Sequence, residues 1–480
     1  MIALGYVVFF LYMGLLIVVG EAVQKKFNLD KELCRKAEHL AAGLSWFVCY
    51  LFTGNTVHTF IINAVGLVLL AIITFGGLMK SVQRNDADKS YGLFFFGLST
   101  CIVMGVNIFV NQDFYWFTGI AFCCMAFGDG LAPFIARWAK KRNVKITQKK
   151  TLVGALTVFT VSTLVAYLFS LVCQLHLSVL FCVSLGALTA VVELFSEKCT
   201  DNLTIDLCVF GYLVLNYYGL ATPALQWALT IAFPLYLLNG ASKALTNAAS
   251  IVAWLYVLVA SYFAGMPMLI TVVVLYLLSA VVGKLSHHFY RKKYGEKLSL
   301  SRNVMQILAT SAVTAICSIA FFFTEEPVLL YAAFAVIAEE FADTMASDLG
   351  KLSKNMPRNI LGFKKMTAKV SGGISVLGTL SALIASAGAI GIPYLFGVFD
   401  WKIYLLVVGI AFLGTFMDSI LGSWLQVLYR CPVCNQLTEH TTHCERETVY
   451  EKGIKAVNNC SVNFLAGLCT ALFCGLLFLL

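Results

Sequence analysis

The feature that most constrains this chain is a series of apolar segments that runs from one terminus to the other. A helix needs about 20 apolar residues to cross the ~30 Å hydrocarbon core of a bilayer. With 60% hydrophobic and only 12% charged residues among 480, the composition excludes a soluble globular protein. We therefore predict an all-α, polytopic integral membrane protein with about 16 transmembrane helices (14–16). The segments lie near residues 2–20, 38–53, 57–79, 91–110, 114–136, 152–173, 176–195, 203–219, 222–238, 244–263, 266–283, 303–323, 327–345, 370–390, 402–428 and 456–480.

The basic residues support this count, because lysine and arginine concentrate in cytoplasmic loops. If the chain alternates sides at each segment, all but one of its 34 basic residues fall on the same side, and the exception is Lys402. We therefore expect both termini outside and the basic loops in the cytoplasm. The net charge of +9 then reflects topology and phosphate binding, not a nucleic-acid surface. The first segment lacks a basic start and a cleavage site, so we expect a retained span and a bacterial inner membrane.

The chain repeats one order of residues in its two halves. Asp129 and Asp343 are each followed by small residues, a basic loop, a lysine pair that includes Lys150 or Lys365, and a glycine that opens the next span. Because this order occurs in both halves, it predicts two related domains, residues 1–238 and 239–480.

Two further elements occur in both halves. Arg35 and His39 are spaced by four residues, as are Arg302 and Gln306, so each pair shares a helix face, although the second pair could simply end a helix. Acidic and amide side chains then follow near later span ends, and they are Glu193, Asp201 and Asn202 in the first half and Asp418, Asn458 and Asn459 in the second.

These residue types together are typical of phosphoryl transfer. Carboxylates hold Mg²⁺, cations and amides neutralise phosphate, and an acid or histidine accepts the proton of an attacking hydroxyl. Glycines at a helix start allow the backbone to approach a phosphate. The sequence has no GxxxxGKS loop and no kinase-type HRD or DFG signature, so a nucleotide site would be of another kind.

Asp129 is the most informative of the acids, because it lies between Gly128 and Gly130 at the end of an apolar run. A charge at membrane depth costs about 2.5–3.5 kcal/mol on insertion scales, so it needs a partner or a function. Asp129 could form a structural ion pair with Arg137, and Lys36 beside Arg35 could be a membrane anchor.

A separate cluster of metal-ligand residues occurs at 430–455, in the stretch CPVCNQLTEHTTHC. Cys431 and Cys434 form a tight pair, and two of His440, His443 and Cys444 could complete a four-coordinate zinc site. We predict Cys431, Cys434, His440 and Cys444 as the ligands, with a loop that holds no metal as the alternative. The other cysteines are scattered through apolar segments and do not suggest a disulfide framework.

The first half resembles the dolichol kinase and phytol kinase family. The matching elements are RKxxH (Arg35, Lys36, His39), GDG (Gly128, Asp129, Gly130), KSxxG with threonine in place of serine (Lys150, Gly154), and a later acidic element (Glu193, Asp201, Asn202). The resemblance implies a CTP-dependent lipid-alcohol kinase that uses Mg²⁺.

The second half resembles the membrane family that includes the plant phytyl-phosphate kinase. The matching residues are Asp343, Thr344, Ser347, Asp348, Gly372, Gly373, Gly378, Asp418, Ser419, Gln426, Asn458 and Asn459. Asp348 stands where glutamate is typical, and Cys460 stands where an acid is expected.

Together the halves predict a bifunctional enzyme that converts a prenol (phytol, geranylgeraniol or farnesol class) to its monophosphate and then to its diphosphate. We expect Mg²⁺ and CTP or another nucleotide as cofactors. One alternative is a polyprenyl-phosphate transporter or flippase, in which charged groups lie at the bilayer midplane. Another is a CTP-dependent enzyme similar to phosphatidate cytidylyltransferase.

Overall fold

The computed structural model describes residues 1–27, 31–76, 91–139, 144–146, 150–196, 200–242, 245–294, 302–366 and 370–479. These residues form two compact units, unit 1 from Met1 to Ala241 and unit 2 from Ser242 to Leu480. The division lies three residues after the predicted domain boundary at 238.

Unit 1 is built mainly of helices in its described residues. Its α-helices are α1 (Ile2–Phe27), α2 (Lys31–Ala42), α3 (Ser45–Phe52), α4 (Val57–Gly76), α5 (Gly92–Phe109), α6 (Tyr115–Cys123), α7 (Gly130–Trp138), α8 (Leu152–Val172), α9 (Val179–Phe195), α10 (Asp201–Tyr217) and α11 (Pro223–Ser242). A 3₁₀ turn precedes α6, and a π-helix, Cys124–Asp129, joins α6 to α7.

Unit 2 combines long helices with short strands. Its helices are α12 (Asn247–Tyr294), α13 (Val304–Thr324), α14 (Pro327–Gly350), α15 (Val376–Leu395), α16 (Trp401–Trp424) and α17 (Asn459–Leu479). Its strands are β1 (Arg358–Asn359), β2 (Gly373–Ile374), β3 (Leu428–Arg430), β4 (Leu437–Thr438), β5 (Thr442–His443), β6 (Arg446–Glu447) and β7 (Val449–Lys452).

The prediction of an all-α integral membrane fold is confirmed. Within the described ranges, nine helices are long and apolar enough to cross a membrane. One of them, α12, is bent at Gly265, whose φ of 78° departs from helical geometry just before Pro267. The two spans predicted at 244–263 and 266–283 meet at this bend.

One predicted span does not form a single helix. The segment 38–53 is divided between the end of α2 and the eight-residue α3. Eight residues extend only about 12 Å, which is less than half of a bilayer core. The charged residues of α2 make it amphipathic, and it packs on α1 and α7.

The core of unit 2 surrounds α14. This helix packs against α12, α13, α15, α16 and α17, and small buried residues on it allow the close approach of so many neighbours. Proline at its first position and the left-handed Glu325 (φ 57°) before it set the turn from α13 into α14.

The two units share one order of helix packing. In unit 1 the α6–π–α7 segment packs on α8, α8 on α9, α9 on α10, and α10 returns to α6 and the π-helix. In unit 2 the corresponding helices are α14, α15, α16 and α17, which make the same series of contacts. Four of the predicted acids lie on the first and third members of each series, Asp129 and Glu193 in unit 1 and Asp343 and Asp418 in unit 2, whereas Asp201 begins the fourth member, α10.

The strands of unit 2 form a small β region between α16 and α17. β3 pairs with β4 and β7 in an antiparallel sheet of order β4-β3-β7, and β5 pairs with β6. β1 and β2, from the α14–α15 connection, form a separate antiparallel pair.

Candidate functional site

The centre of unit 1 contains two ion pairs, one buried and one half-buried. Lys36 of α2 pairs with Asp129 at the end of the π-helix, and Lys150 before α8 pairs with Glu193 of α9. Lys36, Asp129 and Glu193 are each 4% exposed or less. A π-helix is rare and is frequently found at a functional site, because its wider turn displaces one residue of the helix.

The two ion pairs belong to one electrostatic cluster. Lys150 and His39 both lie close enough to Asp129 to interact with it, and Asp201 interacts with Lys150. Burial tends to lower the pKa of Lys150, but the carboxylates of Glu193, Asp129 and Asp201 outweigh burial and raise it. Lys150 therefore remains a cation at neutral pH.

The sequence suggested Arg137 as an ion-pair partner of Asp129, whereas in the structure Asp129 forms its ion pair with Lys36. The side chain of Arg35 lies outside the described part of the chain. The backbone of Arg35 falls within α2, one turn before His39.

The glycines of unit 1 allow helices to approach one another. A Cβ at Gly128 would lie 3.0 Å from Ser162 Oγ of α8, and one at Gly130 would lie 2.7 Å from Leu40 of α2. Gly154 lies in the first turn of α8, where its N–H donates to Thr151 Oγ1 at 3.3 Å. Their observed role is therefore packing and helix capping.

Asn202 connects two helices of unit 1. Its side-chain Nδ2 donates to the carbonyl of Gly92 at the start of α5, at 2.8 Å. The side chain is buried, so the amide N–H group is occupied by this contact while Asn202 stays beside Asp201.

Unit 2 has a large polar cavity where unit 1 has its ion pairs. Its volume is about 1070 Å³, which lies just above the usual range for small-molecule sites. Of the predicted site residues, twelve line this cavity, and they are Arg302, Gln306, Asp343, Ser347, Asp348, Gly372, Gly373, Asp418, Cys434, His440, Cys444 and Asn459. Residues from six separate parts of the sequence are therefore brought together.

The acids of this cavity have few basic partners. Asp348 pairs with Lys351 at 3.2 Å. Within the ranges that the structure describes, neither Asp343 nor Asp418 forms an ion pair. Both are half-buried, and they lie close enough to interact with each other.

Two helices begin at the cavity wall. Ser375 caps α15 by accepting from the N–H of Gly378 at 3.1 Å, and Asn458 caps the start of α17 by accepting from the N–H of Ser461 at 3.1 Å. The first residues of both helices line the cavity. Helix N-termini carry partial positive charge and favour anions such as phosphate.

A glycine turn forms another part of the wall. Gly372 has a φ of 86°, and a Cβ there would lie 2.6 Å from Ser423, so no other residue fits without strain. Ser371 donates to Glu439 from its backbone N–H at 3.0 Å and from its hydroxyl at 2.6 Å. Glu439 thus connects this turn to the β region.

Three predicted residues of unit 2 have other roles. Gln306 forms a capping box with Asn303, in which its Oε1 accepts from the Asn303 N–H at 2.9 Å. Asn458 is occupied as the cap of α17, and Lys365 is exposed and is not part of the cavity lining.

The Cys/His stretch forms a compact group of donors beside the cavity. The side chains of Cys431, Cys434, His443 and Cys444 all lie within 4.8 Å of one another. The predicted ligand His440 is not in this group, so His443 replaces it as a correction. Because β5 and β6 form a tight hairpin, His443 is turned toward the thiols. A backbone hydrogen bond from Cys434 lowers the pKa of the Cys431 thiol to about 6, against the opposing effect of burial.

Sequence reasoning missed Glu339 and Glu340, which lie on α14 deeper than the cavity. Glu339 is 1% exposed and lies beside Gly414 of α16 and Thr470 of α17. Their spacing of four and three residues before Asp343 was a usable signal, since it makes each of them a neighbour of Asp343 on the helix surface.

The helices and the buried polar groups define a polytopic integral membrane protein. The family described as integral membrane protein DUF92 matches residues 230–471, half of the chain, and the chain belongs to that family. This match covers almost all of unit 2.

Three relatives match shorter stretches. Protein PGR of Arabidopsis thaliana is 32% identical over 141 residues, which are 27% of this chain and 48% of the relative. An uncharacterized membrane protein of Synechocystis is 27% identical over 134 residues, 27% of this chain and 52% of the relative. Another of Methanocaldococcus jannaschii is 28% identical over 189 residues, 38% of this chain and 75% of the relative. The chain thus spans about half the length of the first two relatives. No solved structure matches the chain.

Proposed function

We propose that this chain is a nucleotide-dependent phosphotransferase that acts on isoprenoid alcohols. Unit 1 would convert a prenol to its monophosphate, and unit 2 would convert the monophosphate to the diphosphate. The observation that carries the proposal is the cavity of unit 2, where Asp343 and Asp418 face the N-termini of α15 and α17.

The donor set of this cavity fits a nucleotide with Mg²⁺. Asp343 and Asp418 would hold the ion, because Mg²⁺ prefers carboxylate oxygens and is usually bound through one or two carboxylates and substrate phosphates. Arg302 and the two helix N-termini would bind phosphate oxygens. The bound ion would neutralise charge on the transferred phosphoryl group.

The chemical step in unit 2 is a transfer between phosphates. An oxygen of the lipid monophosphate attacks the terminal phosphorus of the nucleotide, and the bond from that phosphorus to the bridging oxygen breaks, so the nucleoside diphosphate leaves. The chain contributes by holding both anions in line and by excluding water.

The donor set of unit 1 fits the same chemistry only if its ion pairs exchange partners. Asp129 and Glu193 would bind Mg²⁺, and Lys36 and Lys150 would turn to the phosphates of the nucleotide. An alcohol attacks in this unit, so a proton must leave its oxygen. His39 is buried beside Asp129 and would accept that proton.

An assay with product mass detection tests the proposal. Purified full-length protein is incubated with C10 to C20 prenols or their monophosphates, Mg²⁺ and each nucleoside triphosphate. We expect a mass increase of one phosphoryl group at each step. Transfer of a nucleotide to the lipid would instead identify a cytidylyltransferase, and no covalent product in any combination would reject both enzymes.

One observation favours a second candidate, a transporter of polyprenyl phosphates. Glu339 is the thirteenth of the 24 residues of α14, and Glu340 follows it, so both lie at the middle of a long helix. Within the described residues, Glu339 Oε2 is buried without a hydrogen-bond partner. Acids at this depth are typical of carriers and proton relays. Uptake of a prenyl phosphate by proteoliposomes without nucleotide would support this function, and Glu339→Gln should then abolish uptake.

A further inference from the structure

Four metal-ligand side chains meet in the β region of unit 2. Cys431 follows β3, Cys434 lies in the turn after it, His443 ends β5, and Cys444 begins the turn into β6. Their sulfur and nitrogen atoms lie within 4.8 Å of one another, although the residues come from two separate turns.

The distances around His443 are those of ligands that share a metal ion. Its Nδ1 lies 3.5 Å from Cys434 Sγ and 3.3 Å from Cys444 Sγ. In a tetrahedral zinc site, bonds of about 2.3 Å to sulfur and about 2.0–2.1 Å to nitrogen place these atoms about 3.5 Å apart. Hydrogen bonds alone explain the arrangement less well, because a neutral imidazole nitrogen has a single lone pair and cannot accept from two thiols.

The backbone around the four proposed ligands adopts unfavourable conformations that the surrounding structure must stabilise. Asn435, Cys444 and Glu445 have φ values of 56°, 52° and 59°, in the left-handed region that disfavours side chains with a Cβ. Two consecutive residues in this region form the turn between β5 and β6, where Asn-Gly is the usual pair. Such conformations persist when the surrounding structure over-determines them.

We propose that Cys431, Cys434, His443 and Cys444 bind one zinc ion and that this ion holds one wall of the cavity in place. Three thiolates and an imidazole favour zinc over Mg²⁺ or Ca²⁺, which prefer oxygen ligands. Four protein ligands fill the tetrahedral coordination sphere, so the ion has a structural role and no open position for a substrate.

Glu439 connects the proposed zinc site to the wall of the cavity. Glu439 lies between the two donor pairs in the sequence, and it accepts two hydrogen bonds from Ser371 beside the glycine turn. An ion that joins the two donor pairs would therefore fix the segment that holds this turn. The inference does not depend on the proposed kinase activity, because it concerns only metal content and the order of this loop.

Metal analysis of matched histidine variants tests the site. The full-length protein is purified in detergent under reducing conditions without chelator, and metals are quantified by mass spectrometry. We expect about one zinc per chain, as a four-ligand site requires. Cys434→Ser and His443→Asn should reduce zinc to background. His440→Asn should retain it, because His440 lines the same cavity but lies outside the donor group.

Cysteine labelling keeps the test decisive if a variant fails to fold. In wild-type protein, the peptide containing Cys434 and Cys444 should resist alkylation until a chelator removes the metal, and added Zn²⁺ should restore protection. The proposal is overturned if wild-type protein holds only background zinc after incubation with Zn²⁺, or if His440→Asn loses zinc as His443→Asn does. A disulfide between Cys431 and Cys434 in protein kept reduced would overturn it as well.

Discussion

The two units place acidic residues at corresponding points of the same helix order but neutralise them differently. In unit 1, Asp129 and Glu193 are buried and each is paired with a lysine. In unit 2, Asp343 and Asp418 line an open cavity, and no lysine or arginine in the described ranges forms an ion pair with either. One arrangement of helices therefore supports both a closed, neutralised cluster and an open, acidic one.

This difference distinguishes two roles of a carboxylate, namely stabilising the fold and binding a metal ion or ligand. A buried aspartate paired with lysine contributes to folding, because removing it leaves the cation unpaired in a low-dielectric interior. Neighbouring carboxylates without such partners repel each other, and they persist where a metal ion or ligand compensates for the repulsion. We therefore expect substitutions of Asp129 to affect both stability and activity, and substitutions of Asp343 to affect activity alone.

The largest expected effect is on activity, and it tests whether each unit catalyses its own step. Asp343→Asn should lower diphosphate formation from supplied monophosphate about 10³-fold, since loss of a metal ligand removes several kcal/mol of transition-state stabilisation. Phosphorylation of the alcohol should continue, and the monophosphate should accumulate. Mass detection of both products measures the two steps in one reaction.

Asp129→Asn should produce the opposite pattern, with no product from alcohol and normal diphosphate from supplied monophosphate. Normal activity of unit 2 in this variant also shows that unit 2 is folded, and the unfolding measurement described below reports on unit 1. Glu325→Gln is the control, because Glu325 is an exposed acid in the turn between α13 and α14. If diphosphate forms at the wild-type rate in Asp343→Asn, unit 2 is not a kinase.

The next effect is on stability, and the same two substitutions measure it. Asp129→Asn leaves Lys36 buried without a carboxylate partner, which should cost about 3–5 kcal/mol of the free energy of unfolding of unit 1. Asp343→Asn removes one of several mutually repelling acids and should leave the stability of unit 2 unchanged or slightly higher. Denaturant unfolding of the purified protein, followed by cysteine accessibility in each unit, measures both.

A double variant tests whether the unpaired charge of Lys36 causes the loss of stability in unit 1. Lys36→Met in the Asp129→Asn background removes the unpaired cation and should recover much of the lost stability without restoring activity. Equal destabilisation by Asp129→Asn and Asp343→Asn would show that the contrast between paired and unpaired acids does not govern stability.

The membrane-protein class could be predicted from the sequence, because uninterrupted apolar runs determine which segments enter a bilayer, but the count of 16 spans is not confirmed by the nine described helices that are long and apolar enough to cross. The bend at Gly265 was visible as a division of one apolar stretch by Gly and Pro. The segment 38–53 was misjudged because hydropathy does not register the break between α2 and α3.

The partners of the site residues were less predictable, since they come from distant parts of the sequence. Lys36 and Asp129 are 93 positions apart, and no local pattern joins them. His443 replaced His440 because the β5–β6 hairpin, not the spacing, decides which imidazole faces the thiols. Spacing alone also matched the Arg35–His39 pair with the Arg302–Gln306 pair, but Arg302 lies before the start of α13, so the second pair does not share a helix face as predicted.

A smaller effect tests how closely the helix contacts of the two units correspond. Gly154 and Gly378 each lie in the first turn of the second helix of the series, three residues after a capping hydroxyl. A Cβ at Gly378 would lie 3.0 Å from the backbone carbonyl of Ala346, whereas one at Gly154 would lie 3.2 Å from the side-chain Oγ1 of Thr151 and 4.0 Å from Ala132.

Gly378→Ala should therefore cost about 1–3 kcal/mol through overpacking. Gly154→Ala should be close to neutral, because the neighbour is a side chain that can shift by a few tenths of an ångström and the gain of about 1 kcal/mol in helix propensity offsets the contact. Unfolding of both single variants measures the difference. A larger cost at Gly154 would mean that unit 1 is packed more tightly here than the distances indicate.

The smallest effect concerns the capping hydroxyls themselves, which are the most similar feature of the two units. Thr151 Oγ1 accepts from Gly154 at 3.3 Å and Ser375 Oγ accepts from Gly378 at 3.1 Å, so each hydroxyl satisfies one free N–H of a helix start. Thr151→Ala and Ser375→Ala should each cost about 1 kcal/mol. The exchanges Thr151→Ser and Ser375→Thr keep the hydroxyl and should cost almost nothing.

Similar losses in the alanine pair, measured by unfolding, would support a shared origin of the two helix starts. A loss in one unit alone would limit the correspondence to the order of the helices, because the cap would then stabilise only one of the two sites.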